Sequence, residues 1–162
     1  MKNLMLLFMS FLVLYACKKE TDKVSKVLDV YIDFSVINSN HEDLLDSENS
    51  NAFDQNQIGI YYDREGEPIY YQTTNNLDYS NAHYFYKENI DSLYTIRIFL
   101  NSDNSVQYPI TYVKWNETDM DTIKASYMRS ENIVRLDSIW YNNNLIWNFN
   151  DAVERRHFIL TK

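Results

Sequence analysis

Apolar and polar residues alternate with a period of two along most of the chain beyond residue 27. Leu28, Val30, Ile32, Phe34 and Val36 are separated by Asp29, Tyr31, Asp33 and Ser35, the spacing of a strand with one buried face. Ile58, Ile60 and Tyr62 repeat it before Asp63-Arg64-Glu65-Gly66 turns the chain and Ile69-Tyr70-Tyr71 returns. This predicts a hairpin, with Gly66 in the left-handed backbone region and Pro68 assigning the second strand to an edge. Ile96, Ile98 and Leu100 alternate with Thr95, Arg97 and Phe99, and the polar run Asn101-Ser102-Asp103-Asn104-Ser105 leads into Val106 to Trp115. Those two stretches are expected to pair as neighbours.

Ile123, Ala125 and Tyr127 predict a further strand, and Ile133 to Tyr141 another. In the latter the apolar positions change parity between Leu136 and Ile139, so a bulge is expected near Asp137-Ser138. Trp140-Tyr141, Asn142-Asn143-Asn144 and Leu145-Ile146-Trp147 form a hairpin signal, because asparagine tolerates the positive φ of tight turns. Phe158-Ile159-Leu160 closes the chain as a last strand. About eight or nine strands with little helical periodicity predict an all-β domain, an antiparallel β-sandwich of Ig-like or related Greek-key type or else an open barrel. Two long polar segments interrupt the pattern, Asn38 to Asn56 and Thr73 to Asp91, and loops of that length are the first place to look for binding.

The N-terminus is patterned differently. Lys2 precedes an apolar core from Leu4 to Leu14, and Leu14-Tyr15-Ala16-Cys17 then reads as a bacterial lipobox. Residues 1–16 are expected to be a secretory signal, too short for a spanning helix, which needs about 20 apolar residues. Cleavage before Cys17 leaves that residue to carry a thioether-linked lipid, and two or more acyl chains suffice for stable anchoring. Residues 17–26 read as a charged tether, whose stretch from Lys18 to Lys26 can reach about 30 Å at 3.3 to 3.6 Å per residue, and residues 27–162 as one domain. Cys17 is the single cysteine, so acylation leaves neither a disulfide nor a free thiol.

Composition narrows the function classes. The chain carries 15 basic and 23 acidic residues, and the signal removes only Lys2, so the mature protein is more acidic still. Nucleic-acid binding needs a basic stripe and is argued against. With two glycines and two prolines, asparagine and aspartate must supply most turns. Isolated glycines cannot cradle a phosphate or dinucleotide, there is no Gly-x-Ser-x-Gly elbow or His-x-x-x-His pair, and no cofactor is expected. His41, His83 and His157 are widely spaced and read as ordinary residues rather than zinc ligands. Asp119 with Asp121, or Asp63 with Glu65, offer oxygens, but neither pair reproduces a calcium loop, so no metal is expected. Aromatics are the remaining candidates for function: Tyr79, Tyr84, Phe85 and Tyr86, clustered in a predicted loop, are the expected ligand-binding residues. Trp140 and Trp147 are expected to pack across their hairpin or into the core.

Several of these features together resemble small uncharacterised lipoproteins of the Bacteroidota: Ala16-Cys17-Lys18-Lys19, Asp43-Leu44-Leu45-Asp46 after a first strand, the Tyr62 to Gly66 hairpin, and Asp121-Thr122-Ile123-Lys124-Ala125 followed by Ile139-Trp140-Tyr141-Asn142. The resemblance implies an outer-membrane address and a β-sandwich domain, and no reaction. The expectation is a lipid-anchored, non-enzymatic module that binds or scaffolds another envelope component, a protein or a glycan. A glycan-binding accessory lipoprotein of a polysaccharide-uptake system is the alternative, and a hydrolase with a carboxylate site the third.

Overall fold

A computed structural model describes residues 27–71, 82–87, 92–151 and 155–162. Cys17, Tyr79 and the whole of the leader and tether lie outside these residues. Eleven strands are present among the described residues: β1 (Val27–Asp29), β2 (Tyr31–Ile37), β3 (Gly59–Arg64), β4 (Glu67–Tyr70), β5 (His83–Lys87), β6 (Tyr94–Phe99), β7 (Ile110–Lys114), β8 (Met120–Arg129), β9 (Ile133–Tyr141), β10 (Asn144–Asn148) and β11 (His157–Thr161). A seven-stranded sheet runs β1-β9-β8-β7-β3-β4 with β10 also on β9, and a four-stranded sheet runs β11-β2-β6-β5.

The two sheets enclose one core. Ile32, Phe34 and Val36 from β2 and Ile96 and Ile98 from β6 meet Ile60, Val113, Ile123, Ala125, Leu136, Ile139 and Trp147 from the larger sheet. Phe34 and Tyr141 touch across the gap, with ring centroids 5.6 Å apart. Two tyrosines tie the layers together: the Tyr62 hydroxyl donates to the Phe99 carbonyl at 2.8 Å and the Tyr127 hydroxyl to the Asn101 carbonyl at 2.7 Å. This is the expected all-β, two-layer arrangement, with packing of the kind seen in sandwiches.

Three expectations change. The sheets are mixed rather than antiparallel, because β1 lies parallel to β9 and β11 parallel to β2. The alternation from Leu28 to Val36 is not one strand: at Val30 the chain leaves the larger sheet, where Val27 pairs with Ile133, and enters the smaller, where Ile32 pairs with Ile98. That division and β5 raise the strand count above the eight or nine expected. The segments before and after Asn101-Ser105 do not pair either; β6 and β7 belong to different sheets. Asn101 shows why, since its amide N–H donates to the Thr111 hydroxyl at 2.8 Å and its side chain to the Ile110 and Asp63 carbonyls. A buried asparagine thus satisfies the backbone of one sheet at the point where the chain departs the other.

The hairpins follow the sequence. Glu65 and Gly66 turn β3 into β4 with φ of 55° and 90°, and Asn142 and Asn143 turn β9 into β10 with φ of 46° and 70°. β4, which holds Pro68, is an edge strand. Register between β8 and β9 passes from Ser126↔Ser138 to Tyr127↔Leu136, leaving Asp137 as the extra residue of a bulge. The segment Asn38 to Asn56 is a structural plug. Asn38, Asp43, Asp46, Asn49 and Asp54 each accept a backbone N–H two residues on, the Asx geometry that builds turns without glycine. Leu44 and Leu45 are buried, and Phe53 stacks on Trp115 at 5.8 Å.

Candidate functional site

The residues most suited to recognition meet on the outer face of the four-stranded sheet. In β5 the alternation turns His83 and Phe85 inward, opposite Ile98 and Ile96, and turns Tyr84 and Tyr86 outward, opposite Arg97 and Thr95. Arg97 in turn faces Asp33, Tyr31 faces Phe99, and Asp33 faces His157. Register alone therefore gathers three tyrosines and an arginine on one surface.

Arg97 organises it. Its Nε and Nη2 donate to the two oxygens of Asp33 at 2.8 and 2.7 Å, a bidentate pair that fixes the guanidinium plane. The same guanidinium lies 3.9 Å from the Tyr31 ring centroid, 5.5 Å from Tyr86 and 5.8 Å from Tyr84. Each such cation–π contact contributes about 0.5 to 2 kcal/mol depending on exposure. Bonding to Asp33 pushes the Arg97 pKa upward against the opposing effect of burial, so the charge persists at any working pH. Tyr84 is 43% exposed. It tilts at 44° to both Tyr86 and Phe99, with centroids 5.9 and 6.1 Å away. Beneath them Ser35 is fully buried, its hydroxyl bonded to Thr95 at 3.2 Å and to His157 Nε2 at 3.0 Å. These contacts link Ser35 of β2 to Thr95 of β6 and His157 of β11.

Of the expected binding residues, Tyr84 and Tyr86 are thus brought together on the outer face, Tyr84 exposed and Tyr86 half-buried. Phe85 packs against the core, with His83 edge-on at 5.4 Å, because strand alternation sends it to the opposite face. Burial lowers the His83 pKa, which favours the neutral ring. Trp147 joins the core, while Trp140 lies on the outer face of the larger sheet, edge-on to Tyr108 at 5.7 Å with Lys124 over its ring. Tyr31, Asp33 and Arg97 complete the face but carry no signal in the sequence, where they read as the solvent side of two ordinary strands.

The acidic pairs have other occupations. Asp63 accepts from the Tyr112 hydroxyl at 3.1 Å and from the Gly66 N–H at 3.3 Å, which stabilises its turn. Asp119 and Asp121 do converge, but on the ammonium of Lys162. Asp121 also accepts from Trp115 Nε1 at 2.6 Å, Asn142 Nδ2 at 2.7 Å and the Tyr141 hydroxyl. Burial pushes its carboxyl up, but the donors from Asn142, Lys162, Tyr141 and Trp115 outweigh burial and hold it below the usual carboxylate range. Among the described residues no three His, Cys, Asp or Glu side chains are grouped to hold a metal ion.

Fold and site together define a two-sheet β domain with an aromatic, arginine-centred outer face. Comparison with protein-family models, curated proteins and solved structures gives no match.

Proposed function

We propose that this is a lipid-anchored envelope protein, held at the outer membrane through Cys17, that binds another envelope protein through the outer face of its four-stranded sheet and catalyses no reaction itself. The observation that carries the reading is the group Tyr31, Tyr84, Tyr86 and Arg97, with Tyr84 exposed and Arg97 fixed by Asp33. Tyrosine and arginine are the residue types that dominate binding hot spots, since each joins a broad apolar surface to a hydrogen-bonding edge at small entropic cost. Here that cost is reduced further, because the guanidinium is already immobilised before a partner arrives. The 44° tilt between Tyr84 and Tyr86 gives no common plane for the face of a sugar ring, which favours a protein partner over the glycan alternative.

The test places a photo-reactive phenylalanine analogue at position 84 of the full chain in its own cell envelope. Illumination is expected to yield a discrete protein adduct in the membrane fraction, weakened by Arg97→Ala and absent when the probe is at Glu131. No adduct from position 84, or the same adducts from both positions, overturns the assignment.

A further inference from the structure

A cavity of about 460 Å³ lies between the sheets at the end of the domain where β1 begins. Leu28, Val30, Tyr62, Leu100 and Val134 supply apolar wall, while Arg64, Asp103 and Arg129 bring charge to the same space. Its volume falls in the range of small-ligand sites. The loop after β6 ties both guanidiniums in place. Asp103 accepts from Arg64 Nη1, and the carbonyls of Ser102 and Asp103 each accept from Arg129 Nη2 at 3.1 Å. Asp103 is itself held by the Ser105 N–H at 2.9 Å and hydroxyl at 2.7 Å.

Two guanidiniums against one carboxylate make this charged group net positive, in a chain whose net charge is −8. A guanidinium offers five N–H donors, and the bonds just described occupy only one nitrogen of each. Guanidinium pairs of this kind suit carboxylate and phosphate oxygens, which accept two parallel N–H bonds. An anion alone would leave Leu28, 45% exposed on the cavity wall, without cover, and an apolar molecule alone would not use the remaining guanidinium N–H donors.

We propose that the cavity binds an anionic amphiphile, its carboxylate or phosphate head at Arg64 and Arg129 and its apolar part against Leu28 and Tyr62, over a floor of Val30, Leu100 and Val134. The position of the cavity bears on where such a ligand comes from. Val27 pairs with Ile133, and the next pair, Leu28 with Val134, lines the cavity. Val27, the first described residue, therefore lies beside it. If Cys17 is anchored as proposed above, on which this last step rests, the cavity lies at the tethered end of the domain. Bilayer lipid and free carboxylic acid are then the two sources of the same chemistry.

The soluble domain, residues 24–162, contains all the strand pairs and core contacts described above and serves for the test. Calorimetric titration with octanoate below its micelle concentration is expected to show saturable one-to-one binding. Acetate, which has the head alone, and octyl glucoside, which is uncharged, should each bind at least tenfold more weakly. Arg64→Gln combined with Arg129→Gln should weaken octanoate at least tenfold in a variant that still unfolds cooperatively in urea, and Val134→Trp should weaken it by filling the space. Co-sedimentation with phosphatidylglycerol vesicles, but not phosphatidylcholine vesicles, that depends on the two arginines assigns a bilayer source; octanoate binding without sedimentation assigns a free acid. Absence of saturable octanoate binding, or undiminished affinity in the double arginine variant, overturns the proposal. Neither assay involves the lipid on Cys17, so failure here leaves the anchor standing and loss of the anchor leaves the cavity standing.

Discussion

Asp121→Asn tests the energetics of the domain at its most connected point. In the native protein four side chains donate to this carboxylate, from Trp115, Tyr141, Asn142 and Lys162. Asp121 is 7% exposed and Lys162 is 17% exposed, so neither charge is freely hydrated. Asparagine retains one acceptor and introduces an N–H group toward donors, which orphans at least one of them and removes the charge opposite the ammonium. Hydrogen bonds to charged groups are each worth about 1.5 to 3 kcal/mol, and removing one partner of a buried ion pair costs about 3 to 5. Because Lys162 keeps Asp119 at 2.8 Å, the lower end applies, about 3 kcal/mol. At about 2 to 4 °C per kcal/mol for a domain of this size, that lowers the melting temperature by roughly 10 °C.

The same network fixes a pH signature. The folded carboxyl titrates below its unfolded value of about 3.9, so its contribution is fully present above that value and is lost as the pH falls through the folded pKa. Urea unfolding of wild type and variant between pH 7 and pH 2 should therefore show a constant gap down to about pH 4, then a narrowing one. A loss below about 1 kcal/mol at pH 7, or a gap that ignores acid, would show that Asp121 is solvated and the network unformed.

Further outcomes follow from the same structure. Phe85→Ala should cost about 2 to 3 kcal/mol in urea unfolding, while Tyr84→Ser costs less than about 1; equal losses would mean that β5 is not turned as described. Asp33→Asn should destabilise by about 2 kcal/mol, and a double-mutant cycle with Arg97→Met should show coupling of about 1 to 2 kcal/mol; additive losses would dissolve the bidentate pair. Gly66→Ala should cost about 1 to 2 kcal/mol, because the position requires positive φ; a neutral result would rule out the turn. His83, lowered by burial, contributes stability above its unfolded pKa of about 6.5 that is lost as the pH falls through the folded value. His83→Phe should flatten the stability curve just below pH 6.5, and an unchanged slope would place the ring in water.

Local signals in the chain foretell local structure, and distant pairings are silent. Glu65-Gly66 and Asn142-Asn143 announce their turns because few residues accept positive φ. The parity change after Leu136 reveals the bulge at Asp137 because strand alternation has no other way to slip. The switch at Val30 is hidden, since Leu28 and Ile32 keep the same parity on either side of it. β5 is hidden too: His83-Tyr84-Phe85-Tyr86 is aromatic on both faces and shows no contrast of polarity. The parallel pairs β1 with β9 and β11 with β2 join distant parts of the chain, and no local pattern encodes them. The binding face inherits this limit. Tyr84 and Tyr86 stand out by composition, but Arg97, Asp33 and Tyr31 join them only through register between three strands.

Intact-mass analysis of the membrane-extracted protein, with metabolic labelling by a palmitate analogue, tests the anchor on which the proposed role depends. A polypeptide beginning at Cys17 with the mass of a diacylglyceryl group, labelled in the wild type and unlabelled and released from the membrane in Cys17→Ala, is the expected result. An unacylated chain that still begins at Met1 and is recovered from the cytosol would contradict the account.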